Sequence, residues 1–133
     1  MSYIKLNDVT ASHLLGAWKV KNRQTNSSNA GNLFAKCSCL KFSDNAKFTI
    51  TSQSGKLKRG QWRIVREQEM IYNPQVRFRL GQDELANSII TNLMTDDQVH
   101  FKLILYFDSG LELVLEKDEK NLSCRKTKKA QKA

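Results

Sequence analysis

The residues able to do chemistry are few, and their spacing argues against most reactions. Cys37 and Cys39 stand in "KCSCLKF", a C-x-C spacing that can offer two thiolates to a soft metal. No second pair and no nearby histidine completes a tetrahedral set, and the third cysteine, Cys124, is remote in the chain. On a strand the two residues point to one face with Cα atoms about 6.5–7 Å apart, near the upper limit for a bridge. Reduced thiols, packed as small buried side chains, are therefore expected. His13 falls in a leading helical turn, and His100 alternates with the apolar set of a strand. Neither has serine and acid partners at recognisable spacing, and G-x-S-x-G, H-E-x-x-H and a phosphate-cradling glycine loop are absent. Asp96 and Asp97 are adjacent acids in a turn, where carboxylates are solvated rather than poised for proton transfer. These residues predict no enzyme activity, no metal and no cofactor.

The remaining chemistry is charge. Formal net charge is +9, and "RKTKKAQKA" from Arg125 onward supplies five positive charges and no acid, leaving +4 for residues 1–124. The tail reads as a disordered, solubilising segment and, functionally, as an electrostatic arm for nucleic acid or anionic lipid. Arg63, Arg66, Arg77 and Arg79 add a basic outer face, and with Arg125, Lys126, Lys128 and Lys129 they are the candidates for contacting an anionic partner. Interleaved aromatics are lacking there, so weak, non-specific nucleic-acid contact is expected rather than sequence reading.

The elements that position these groups are strands. With 133 residues the chain suits one domain that buries about two-thirds of its unfolded surface. An apolar fraction of 40% is too high for disorder, and no apolar run approaches the roughly 20 residues of a membrane span. The first 18 residues show no basic n-region followed by an apolar h-region, which predicts a cytoplasmic protein, or a secreted one if a leader was removed. After a helical turn capped by Asp8, Thr10 or Ser12, apolar residues recur with period two. "LLGAWKVKN" precedes a long polar loop, "KNRQTNSSNAGN". "LFAKCSCLKF", "AKFTITSQ", "KLKRGQWRIV", "EMIYN", "VRFRL", "SIITNLM", "VHFKLILYF" and "LELVLEK" follow, separated by turns such as "SDN", "TDDQ" and "DSG". "GQDELAN" alone has some helical character. Eight or nine strands without a crossover helix predict an all-β, up-and-down antiparallel meander, closed into a barrel that removes its edges. A two-sheet sandwich would also satisfy the alternation, with the barrel preferred. Residues 1–124 form the barrel domain and residues 125–133 the tail.

Both tryptophans stand two residues after a glycine, in Gly16-x-Trp18 and Gly60-x-Trp62. Glycine lets a side chain lie over its backbone, and the tryptophan two residues on shares its face; this makes a seat at the base of a barrel. The indole N–H there needs a backbone carbonyl.

"LLGAWKV" after a helical turn, then a polar loop and a meander, resembles the lipocalin (calycin) superfamily, whose first strand opens with G-x-W. The repeat in "RGQWRIV" is similar to small single-domain lipocalin-like proteins of bacteria. Thr95 and Asp96 match the start of the superfamily's T-D-Y motif, with Asp97 in place of tyrosine. The superfamily stacks a late arginine on its first tryptophan; Lys117 and Arg125 are the residues available here. The resemblance covers roughly residues 12–117. It implies a small hydrophobic or amphipathic ligand inside the barrel, with residues 22–33 over the entrance. Inward candidates to line that interior are Val20, Phe48, Ile50, Phe78, Phe101, Leu103 and Leu113. Ser38, Tyr72, Asn92 and Tyr106 are the polar positions that could orient a ligand. The alternative is a filled scaffold that meets an anionic partner through its basic face and tail.

Overall fold

The alternation becomes nine strands in a computed structural model that describes residues 2–26, 33–66, 73–80, 83–96 and 98–118. They are β1 (Ser2–Tyr3), β2 (Gly16–Gln24), β3 (Cys37–Phe42), β4 (Lys47–Ser52), β5 (Leu57–Val65), β6 (Gln75–Leu80), β7 (Asp83–Asp96), β8 (His100–Phe107) and β9 (Glu112–Asp118). From β2 to β9 each strand pairs antiparallel with the next, and β9 returns to β2 with Leu115 opposite Val20. The result is a closed eight-stranded antiparallel barrel, not a sandwich. β1 lies beside the far end of β7, Ser2 opposite Thr95, beyond the reach of the shorter β6. Among the described residues no helix is long and apolar enough to cross a membrane.

Turn chemistry matches the sequence where the chain reverses. "SDN" closes β3 to β4, with the Ser43 N–H donating to the Lys47 carbonyl at 2.8 Å and Ala46 at φ 63°. Gly110, at φ 93°, serves the "DSG" turn, where few residues but glycine fit without strain. Thr10 caps the single helical turn α1 (Ala11–Leu14), its own N–H donating to His13 Nδ1 at 3.0 Å.

Three expectations change. "GQDELAN" is strand from Asp83 onward: seven residues with weak helical preference cannot nucleate a helix against the ladder that β6 offers. The polar loop starts later than its composition indicates, since Lys21–Gln24 continue β2 against β9. Cys37 and Cys39 lie on opposite faces, because Cys37 pairs with Ser52 and Cys39 with Thr51 while Ser38 forms a bulge between them. "EMIYN" falls mostly outside the described residues, as does the tail 125–133.

Rings and branched chains fill the barrel. Phe48, Phe78, Leu103, Leu105, Leu113 and Leu115 each show 0% exposure, so no water-sized void touches them. One end is closed by the N-terminal segment, with Val9 and Leu14 buried beneath Trp18. At the other end a 3-10 turn (Phe34–Lys36) inserts Phe34, also 0% exposed, among Phe78, Phe107 and Phe48, with centroids 4.7, 4.9 and 6.3 Å away. Phe34 is the stopper of the barrel.

Candidate functional site

At the closed end the tryptophan seat has the predicted form. Trp18 is fully buried, and its Nε1–H donates to the Leu14 carbonyl at 2.8 Å. The Lys117 ammonium lies 4.8 Å from the Trp18 ring centroid and donates to the carbonyls of His13 and Leu15 at 3.1 and 2.6 Å. Gly16 makes room for it. A Cβ there would stand 2.9 Å from Lys117 Cδ, and the backbone is at φ +117°. On the opposite wall a Cβ at Gly60 would strike the Phe48 ring at 2.6 Å, while Trp62 Nε1–H donates to the Ser43 carbonyl at 3.2 Å. These are structural groups with their hydrogen bonds satisfied.

The residues expected to line an interior site are mostly core. Phe48, Ile50, Phe78, Phe101 and Leu103 are buried, and half-buried Val20 packs against them. Ser38 is spent on its neighbours, Oγ lying 3.3 Å from the carbonyls of both Thr51 and Ser52. Asn92 faces outward, opposite Ile104, because a bulge at Thr91 separates it from the inward pairs Ile90–Leu105 and Leu93–Leu103. Tyr106 is exposed on the outer wall. Tyr72 lies outside the described residues.

The plug is anchored by Arg23 and Gln53, which sequence reasoning did not select, and by Cys37, which it expected only as a buried thiol. The bulge between Val20 and Asn22 brings Arg23 opposite Leu113, and its guanidinium donates to the Ala35 carbonyl at 2.5 Å. The Cys37 thiol donates to the Phe34 carbonyl at 3.1 Å, and the Gln53 N–H to that of Lys36 at 2.9 Å. Burial pushes the Cys37 thiol up from 9.0 to about 12, against the opposing effect of nearby Arg23 and a backbone hydrogen bond. Cys37 is a free cysteine, whereas Cys39 is disulfide-bonded, which corrects the expectation of reduced thiols throughout. Its placement on the opposite face from Cys37, by the Ser38 bulge, explains why the two do not share a fate. Among the described residues no group of three or more His, Cys, Asp or Glu could hold a metal ion.

The basic outer face divides. Arg66 turns back to the N-terminal segment, donating to the carbonyls of Leu6 (3.1 Å) and Val9, so it stitches the closed end instead of facing a partner. Arg63, Arg77 and Arg79 come together. Arg63 lies directly opposite Arg77 across β5 and β6, and Gln61 opposite Arg79. Like charges so placed repel. Among the described residues none of the three forms an ion pair, although Glu84 occupies the register position across β7 from Arg79. Arg77 is held by buried Gln75, whose Oε1 accepts from Nε and Nη2 at 3.3 and 3.1 Å. The side chains surround a hollow of about 350 Å³, with the inward-turned residues Trp62 and Phe78 at its floor. A second hollow, about 280 Å³, includes Lys19, Lys21 and His100 but also Glu116, so its charge is mixed.

Comparison with protein-family models, curated proteins and solved structures finds no match for this chain.

Proposed function

We propose that the chain is a lipocalin-like barrel with a filled interior, a non-enzymatic interaction module that binds an anionic partner through Arg63, Arg77 and Arg79. The basic residues 125–133 act as an auxiliary arm. The single observation carrying this reading is that three arginines from two adjacent strands line one hollow and, among the described residues, none of them forms an ion pair. Clustered arginines repel one another, and an anion between them relieves that repulsion while gaining charge-assisted hydrogen bonds. The inner wall supports the reading by subtraction. A carrier needs space, and here Phe34 and the rings around it occupy it.

The test is fluorescence anisotropy of a labelled single-stranded oligonucleotide against the full chain and its Arg63→Gln/Arg77→Gln/Arg79→Gln variant. The wild-type chain is expected to bind with an affinity that falls as salt rises, and the variant to lose about tenfold or more. Equal affinity of the two proteins at low salt would remove the reading.

A further inference from the structure

We infer that the hollow between β5 and β6 is a phosphate site, in which Arg63, Arg77 and Arg79 clasp the oxygens of one tetrahedral phosphate group. The inference rests on the anionic-partner reading and narrows it from charge to chemistry. Among the described residues, all three cations lining the hollow are arginines and none is a lysine. An ammonium is a hydrated point charge, whereas the planar guanidinium offers paired N–H groups that match two oxygens of a phosphate.

Arg77 is also preorganised. The Gln75 amide oxygen takes the Nε–H and one Nη2–H, so the remaining N–H groups along the Nη1–Nη2 edge are left for an acceptor. Gln75 is 5% exposed, and its burial holds the guanidinium before any ligand arrives. Arg63 stands opposite, about 5 Å away between Cβ atoms by strand geometry, and Arg79 lies two residues along the same face. A dianion seated between them meets three positive groups from two strands.

The size agrees. About 350 Å³ is at the small end of ligand sites, and it exceeds what a bare phosphate fills, leaving room for one ester substituent. No aromatic ring is presented outward there, since Trp62 and Phe78 are buried, so the phosphate is read and a nucleobase is not. The mixed-charge hollow fails the same requirement, because among the described residues its cations are lysines and it holds no arginine fork.

The experiment is calorimetric titration of the full chain with inorganic pyrophosphate, repeated with Arg77→Lys and Arg63→Lys, which keep the charge and lose the fork. Arg59→Lys, on the same outer face but outside the hollow, is the control. Expected are one-to-one binding to wild type, about tenfold weakening in either hollow variant and no change in the control. Gln75→Leu frees the guanidinium without altering charge; it should weaken pyrophosphate binding while leaving the salt-dependence slope unchanged. Near-UV circular dichroism of the tryptophans checks that each variant is folded. Competition between pyrophosphate and the oligonucleotide separates the two sources of a phosphate group: displacement assigns the hollow to both, and pyrophosphate binding without displacement assigns it to small phosphate esters. Equal weakening in Arg59→Lys and Arg77→Lys would overturn the site in favour of diffuse charge. An oligonucleotide-binding chain that takes up no pyrophosphate would overturn the site and leave the anionic-partner reading standing. Binding of neither removes both.

Discussion

At Cys37 burial and charge oppose one another, and burial wins. Its thiol is raised from 9.0 to about 12 by desolvation, which outweighs Arg23 and the backbone hydrogen bond. Between those values the unfolded chain has released the proton and the folded chain still holds it, so the unfolded state binds fewer protons and stability falls as pH rises. The slope should approach about 1.4 kcal/mol per pH unit across the window from 9 to 12, and the contribution is fully present below it. Urea unfolding of wild type and Cys37→Ala at several alkaline pH values isolates this contribution. Parallel pH profiles for the two proteins would contradict it. The residue scale was legible where type and spacing act locally. Gly16, Trp18 and Lys117 met as the motif implied, because a glycine that admits a neighbouring stem and an indole that needs a carbonyl are properties of those residues. The faces of Cys37 and Cys39 were not legible. They depend on one extra residue at Ser38, and a bulge leaves no mark in a period-two pattern. Nor was the turn of Arg66 toward Leu6 and Val9, a contact across 57 or more positions of chain.

Strands announced themselves because a barrel wall with one wet and one buried face demands alternation. That is why β4, β5, β6, β8 and β9 could be placed closely from the sequence, whereas β3 begins at Cys37 and not at Leu33, and why the filled interior could not be read. The plug comes from Phe34, which the apolar run "LFAKCSCLKF" reads as strand and which the structure instead places in a 3-10 turn, fully buried. Its turn is tied down by Arg23, Cys37 and Gln53, each reaching a different carbonyl. Removing the ring tests whether the stopper alone separates this barrel from an open one. Phe34→Ala should cost about 3–5 kcal/mol, as removal of a fully buried phenyl ring does. If the barrel stays folded, the variant should also bind a small apolar fluorophore that wild type ignores. Wild-type uptake equal to that of the variant would show that the ring does not obstruct the interior, and the carrier reading would return.

On the scale of the whole molecule, closure of β9 onto β2 leaves the two-residue β1 as the edge strand among the described residues, a ladder too short for strand addition. What it offers a partner is its surface, and the charge there has two sources of different character. Five of the positive charges behind the net +9 lie in residues 125–133, and three more converge at Arg63, Arg77 and Arg79. A tail acts as a sequence-tolerant attraction, whereas the fixed arginines impose geometry. Salt dependence can count them separately. On a single strand each neutralised phosphate contributes about 0.7 to the slope of log affinity against log salt. Full engagement of the tail would add about 3.5, and the arginine hollow, which neutralises one phosphate, about 0.7. Deleting residues 125–133 should therefore flatten the slope yet leave about 0.7, a remainder that Arg63→Gln/Arg77→Gln/Arg79→Gln abolishes. The same deletion should leave the urea midpoint unchanged, because the buried core of the described residues ends at Lys117. A truncated chain that binds with no salt dependence at all would assign the attraction to the tail and strip the barrel face of its role.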